Sequence, residues 1–196
     1  MYRNFFKRYL DIFISILISI FFLPLIIILL VSSLIIFGKS IYTQERIGRN
    51  QKKFKIYKIT SLHGETENKQ EIENNNINNL YGKFIRNFGL DELLQVYNIL
   101  KGEMSLIGPR PLTPDYIKYY NKIEIKRHEI KPGITGLAQI NKNKKLTYKK
   151  TFKYDLYYLK NVSLKLDIYI FFNTLKCIFL SLNNKIKITP PFNGKN

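Results

Sequence analysis

The chain is short of cysteine, histidine and acid, and each shortage removes a class of chemistry. Cys177 is its one cysteine, so an internal disulfide and a cysteine-built zinc site are both excluded. The two histidines, His63 and His128, stand far apart, which argues against a histidine-rich metal site and reads as two surface or interface residues. Only 14 Asp and Glu face 32 Lys and Arg, a formal charge of +18. Such an excess calls for an anionic partner: nucleic acid, an acidic membrane surface or a phosphorylated substrate. The basic residues are dispersed, and no helix-turn-helix, zinc-finger or RNP-type pattern occurs, so nucleic acid is set aside. A length of 196 residues allows one domain, or one domain with an attachment.

What is present begins with a long apolar run, "DIFISILISIFFLPLIIILLVSSLIIFGKS". No charge interrupts it from Ile12 to Phe37, a length sufficient for a hydrocarbon core of about 30 Å. It is too long for the apolar core of a signal peptide, and no small-residue cleavage site follows. Pro24 stands in its middle, where the missing backbone donor predicts a kink. Both flanks are basic, with Arg3, Lys7 and Arg8 before and Lys39, Arg46, Arg49, Lys52 and Lys53 after. A single span would put one of these flanks on the wrong side. The expectation is therefore a re-entrant, monotopic helix-break-helix over residues 1–40, with the remainder cytoplasmic.

Beyond the membrane segment, "SIYTQERIGRNQKKFKIYKI" alternates apolar and polar residues around a turn at "GRN", which predicts a short β-hairpin. "HGETENKQEIENNNINNL" reads as a surface loop and "YGKFIRNFGL" as a short helix. A helix over 91–101 follows, ended by Gly102. Late in the chain "LDIYIFFNTLKCIFLSL" (166–182) reads as an amphipathic helix suited to the membrane surface or to capping the core. Asp155 and Asp167 read as helix caps or partners of the basic excess, and Tyr154, Tyr157 and Tyr158 as core or interface packing. The fold class is α-rich α+β, with a catalytic domain over 41–182 and a polar tail over 183–196.

Asp91 and Glu92 open the 91–101 helix. Acidic residues are common at helix starts because they complement the dipole, so the pair alone says little. Its neighbours say more. "LIGPRPLTP" holds Arg110 between Pro109 and Pro111, a stiff mount for a guanidinium fork that suits phosphate. "KPGITGLAQIN" adds a loop punctuated by Gly133 and Gly136, whose backbone could approach a nucleotide. Carboxylates, a rigid arginine and a glycine loop behind a membrane anchor point to a phosphorylated, lipid-linked substrate.

The order of these motifs, from the apolar run with its central proline through "FKIYK" and "LDELLQVYNILKGEMSLIGPRPL" to "PGITGLAQ", resembles the bacterial sugar transferase family of small monotopic phosphoglycosyl transferases. The pattern looks nearest to the bacillosamine phosphate transferases of protein N-glycosylation. The resemblance implies transfer of a sugar 1-phosphate from a UDP-sugar to undecaprenyl phosphate, with release of UMP, at the cytoplasmic face of the inner membrane. It implies Asp91 as the nucleophile forming a covalent phospho-sugar intermediate, Glu92 as its assistant, and Mg²⁺ held by both. It implies substrate contacts from Lys58, Thr60, Arg86, Pro109, Arg110, Pro111, Gly133, Thr135, Gly136 and Gln139. Membrane lipids and downstream glycosyltransferases are the further partners. Four positions depart from the family pattern: Thr60 follows "FKIYK" where a basic residue is usual, Asn143 stands where an arginine is usual, Leu137 where a tryptophan is expected and Leu23 where a serine is common before Pro24. Thr60 and Asn143 support an alternative in which the chain binds nucleotide-sugar or polyprenyl phosphate without turnover.

Overall fold

The computed structural model of the chain describes residues 2–62, 76–141 and 147–181. Helix α1 (Lys7–Phe37) is the apolar run, entered through a π-helical turn at Tyr2–Phe6 and ended by Gly38 in the left-handed conformation. Strands β1 (Ile41–Ile47) and β2 (Lys53–Ile59) pair antiparallel as the alternation predicts, with the turn at Arg49–Gln51. Helix α2 (Asn76–Phe88) leads to a 3₁₀ turn at Leu90–Glu92 and then to α3 (Gln95–Lys101). Two strands of three residues, β3 (Ser105–Ile107) and β4 (Gly133–Thr135), pair in parallel. Helices α4 (Leu137–Ile140), α5 (Tyr148–Lys160) and α6 (Leu164–Ser181) complete an α-rich α+β chain.

Several expectations change in detail. Helix α1 is one continuous element with Pro24 inside it rather than two helices around a break. A proline costs the helix one hydrogen bond, and its fixed φ remains helical. Of the polar stretch read as a loop, residues 63–75, with His63, lie outside the described residues, while Asn76 already opens α2. The reason is a helical spacing of apolar residues, Ile77, Leu80, Tyr81, Phe84, Ile85 and Phe88, which runs through the asparagines. Asn143 and the tail 183–196 also lie outside the described residues. His128 is buried instead of lying at the surface, because the 3₁₀ turn Glu124–Glu129 packs against α5.

Three apolar clusters hold the domain. Phe54 and Ile56 of β2 pack on Ile99 and Met104, fixing the hairpin to α3. Ile107, Leu137, Tyr158 and Ile170 join β3 to the three C-terminal helices. Leu29 of α1 meets Ile59 and Ile85, tying the far end of the membrane helix to β2 and α2. Polar anchors fix the same helix at both ends. Arg8 donates from Nη1 to the Ile99 carbonyl at 2.6 Å, and the Leu106 amide donates to Asp11 Oδ1 at 3.0 Å. At the other end Ser33 Oγ donates to the Thr60 carbonyl at 2.9 Å. Its buried residues are Asp11, Ser15, Ile26, Leu29 and Ser33, so no residue from 16 to 25 is fully covered by the domain.

Candidate active site

Asp91 and Glu92 sit on the 3₁₀ turn just ahead of α3 rather than inside a helix that starts at 91. Gly89, at φ +68°, lets the chain turn out of α2 and into this turn, a backbone state that side chains rarely adopt. The tighter winding leaves both carboxylates able to meet one cation. That cation is Lys58 on β2, whose Nζ lies 3.0 Å from Glu92 Oε1 and 3.8 Å from Asp91 Oδ2. Arg110 adds a second partner, Nη2 donating to Glu92 Oε1 at 3.0 Å.

These contacts push the two carboxyls apart. Burial holds Asp91 above its ordinary range, and the adjacent Glu92 charge adds to that, against the opposing pull of Lys58 and Arg110. Burial also disfavours ionised Glu92, but Arg110 and Lys58 together outweigh it and bring its pKa down to about 2. Two neighbouring carboxyls thus differ in character: one permanently anionic and engaged, the other more basic and held by a longer contact.

Two carboxylates converging on one ammonium also form a donor set compatible with a divalent cation. Magnesium uses one or two carboxylates and takes its other ligands from water and substrate phosphate. Among the described residues no group of three or more His, Cys, Asp or Glu could hold a metal. A magnesium ion at the dyad would have Asp91 and Glu92 as its protein ligands.

The remaining site residues divide into two groups. Arg86 belongs with the dyad, where its charge acts on Asp91 while its Nη1 donates to the Ser61 carbonyl. Thr60 is buried beside the membrane helix, its amide bonded to the Ser40 carbonyl and its own carbonyl to Ser33. Lys58, the last residue of "FKIYK", is the β2 cation that reaches the dyad, while Thr60 two residues on faces α1. Gly133 and Thr135 lie on β4 and Gly136 directly after it. A Cβ on Gly133 would lie 2.1 Å from the Gly108 nitrogen, and one on Gly136 would lie 2.2 Å from the Gly108 carbonyl oxygen. These glycines let two backbone segments touch, and so fix the loop that carries Pro109, Arg110 and Pro111. Thr135 Oγ1 meets Thr174 Oγ1 at 2.6 Å, and the buried amide of Gln139 has no hydrogen-bond partner among the described residues.

Asp155, expected to cap a helix or pair with the basic excess, does pair, and its partner Arg127 is the residue that sequence does not single out. Arg127 is fully buried, with Nε and Nη2 at 2.9 and 2.7 Å from Asp155 Oδ2. Its Nη2 also donates to the Arg110 carbonyl at 2.8 Å, and its guanidinium stacks over Phe152. Burial opposes the Arg127 charge, but Asp155 and Tyr120 hold it protonated. The loop that aims Arg110 at Glu92 is thereby fastened from behind. Next to it, burial and then the Arg127 charge drive His128 down to about 4, so this imidazole is neutral at pH 7. The sole signal in sequence was the charged tetrad "KRHE".

Comparisons with known proteins place the chain among sugar transferases. Residues 2–181 match the family model described as bacterial sugar transferase. The chain is 38% identical over 141 residues to the uncharacterized sugar transferase EpsL of Bacillus subtilis, covering 71% of this chain and 70% of that protein. It is 35% identical over 193 residues to the undecaprenyl-phosphate galactose phosphotransferase of Salmonella typhimurium, covering 89% of this chain. Against the UDP-glucose:undecaprenyl-phosphate glucose-1-phosphate transferase of Klebsiella pneumoniae the identity is 36% over 183 residues, or 87% of this chain. The chain spans only 40% and 39% of the length of the latter two. With one match running through almost every described residue, the chain belongs to the bacterial sugar transferase family.

Proposed function

We propose that the chain is a phosphoglycosyl transferase that moves a sugar 1-phosphate from a UDP-sugar to undecaprenyl phosphate. The observation that carries the reading is the unequal dyad, with Glu92 ion-paired to Lys58 and Arg110 and Asp91 buried beside it. Asp91 Oδ attacks the sugar-linked phosphorus of the donor. The bond from that phosphorus to the bridging oxygen breaks, and UMP leaves with the electron pair. An aspartyl phospho-sugar remains, which divides one displacement between two anions into two steps. A phosphate oxygen of the lipid then attacks the same phosphorus, Asp91 leaves as carboxylate, and a polyprenyl diphosphate sugar results. Lys58, Arg86 and Arg110 supply fixed positive charge against the charge that gathers on the transferring group. Magnesium, held by Asp91 and Glu92, would supply further neutralisation of the donor diphosphate.

The membrane helix sets the height of this chemistry. A straight helix of 31 residues is about 46 Å long and would carry its ends to opposite faces of a core of about 30 Å. Here both ends bond to the same domain, Arg8 to Ile99 and Ser33 to Thr60. That arrangement favours entry and exit at one face, the cytoplasmic face of the inner membrane, with Pro24 at the deepest part. Helix α6 suits the same surface, since Tyr169, Phe172 and Phe179 are exposed while Asp167 and Ile170 face the domain. The relatives' names mention galactose and glucose, so membership leaves the donor sugar, bacillosamine included, to experiment. The reading without turnover rests on Thr60 and Asn143, and the Lys58 ion pair with Glu92 favours turnover against it. A downstream glycosyltransferase would extend the product.

The test is UMP release from a panel of UDP-sugars by the chain in nanodiscs with undecaprenyl phosphate and Mg²⁺. Release that requires acceptor and metal identifies the transferase and its sugar. Nucleotide binding without release from any donor would return the account to a binder without turnover.

A further inference from the structure

A cavity of about 410 Å³ lies where the start of α1 meets the body of the domain. Five cations line it: Arg3, Lys7, Arg8, Arg49 and Lys131. Asp11 and Glu129 are the acids in its wall, and Asp11 already accepts from the Leu106 amide. Lys7 is committed to Asp167 at 2.7 Å, yet Arg3, Arg49 and Lys131 make no ion pair among the described residues. The cations also crowd one another. A Cβ placed on Gly102 would lie 3.5 Å from Arg8 Nη2 and 3.6 Å from Lys131 Nζ, so two positive heads converge on one spot. Burial and then the Arg8 charge pull Lys131 below its ordinary range. Concentrated positive charge in a concave site is a receptor for an anion.

The surroundings define what kind of anion. Phe5, Phe6, Tyr9 and Phe13 are each more than half exposed on the adjoining turns. A ligand that offers a phosphate to the cavity and hydrocarbon to these rings matches both surfaces. The lining includes none of Asp91, Glu92, Lys58 and Arg110, so the cavity is a site separate from the dyad.

We propose that this cavity binds the phosphate of an anionic membrane glycerophospholipid, which locks the entry of α1 at the headgroup plane. The site goes beyond the transfer chemistry and rests only on the membrane placement proposed above. Lys131 grips the phosphate from the domain side and Arg49 from the hairpin turn, with the charge of Arg8 behind them although its Nη atoms already donate to the Ile99 and Leu100 carbonyls, while the acyl chains run along the exposed rings. A lipid held this way fixes the height of the domain more tightly than diffuse surface charge does.

Native mass spectrometry of the full chain, released from mixed phosphatidylglycerol and phosphatidylcholine micelles, tests the proposal. The wild-type chain should retain one phosphatidylglycerol. Arg49→Gln/Lys131→Gln should lower its apparent affinity about ten-fold or more, the effect of losing one charge-assisted hydrogen bond. Arg49→Gln alone, at an exposed turn where folding is not at stake, should lower it in the same direction. Lys149→Gln/Lys153→Gln, which removes equal charge from an exposed face of α5, should leave it unchanged. Equal loss in the α5 variant, no loss in the cavity variants, or displacement of the lipid by millimolar inorganic phosphate would each overturn the assignment. None of the three variants is read by turnover, so failure here leaves the transferase reading standing.

Discussion

Removing the charge of Asp155 isolates what the buried Arg127 pair does. Both side chains are almost wholly enclosed, at 1% and 2% exposure, and the closest N–O distance is 2.7 Å. Asp155→Asn leaves a guanidinium buried with no counter-charge, a defect that costs about 3–5 kcal/mol. For a chain of this size each kcal/mol moves the melting temperature by about 2–4 °C, so the variant should melt roughly 6–20 °C lower. Replacing both partners, as Arg127→Met/Asp155→Leu, removes both charges and should recover most of that loss. It does not recover the 2.8 Å bond from Arg127 to the Arg110 carbonyl. The double variant should therefore be stable but slow, with kcat/KM down by about 10–100-fold as Arg110 loses its aim. Melting in detergent micelles and UMP release read the two effects separately. A single variant that melts within 2 °C of wild type (about 1 kcal/mol) would refute the energetic argument. A double variant with full turnover would show that the two prolines alone hold Arg110.

Three further outcomes follow from the site. Burial raises the Asp91 pKa, so its ionised form weighs against the fold at neutral pH; Asp91→Asn should abolish transfer yet melt about 2–4 °C higher, a gain of about 1 kcal/mol, as calorimetry can check. For Glu92 the sign is opposite: with its folded pKa near 2, its ionised form stabilises above the ordinary value of 4.5 and loses that effect as pH falls toward 2. The stability gap between wild type and Glu92→Gln should thus be on the order of 3 kcal/mol at pH 7 and shrink by pH 3, and a gap independent of pH would contradict the ion-pair account. Gly136→Ala sets a methyl against backbone at Gly108, and a loss of about 3 kcal/mol or more in stability should appear in thermal melts.

The parts of the fold that sequence made legible are those with local period. The hairpin announces itself by alternation around "GRN", and the apolar run by its length. The β3–β4 pair could not be read, because three-residue strands carry no period and their register, Ser105 with Gly133, joins segments far apart in the chain. The same limit hides which cation Asp155 meets, since Arg127 lies 28 residues away and reaches it only once the 3₁₀ turn packs on α5. Asp91, Glu92 and Arg110 were recognisable as a group, yet their local geometry was not. A left-handed Gly89 decides that the carboxylates ride a 3₁₀ turn, and tertiary packing decides that Lys58, rather than residue 60, reaches them.

The central claim is that Asp91 carries the phospho-sugar. Mass analysis of the intact chain after exposure to the accepted UDP-sugar and Mg²⁺, without lipid acceptor, tests it most directly. The account predicts a gain equal to one sugar phosphate, mapped to the peptide that contains Asp91, absent from Asp91→Asn and cleared on adding undecaprenyl phosphate. Turnover that persists in Asp91→Asn, or an adduct mapped to another residue, would contradict it.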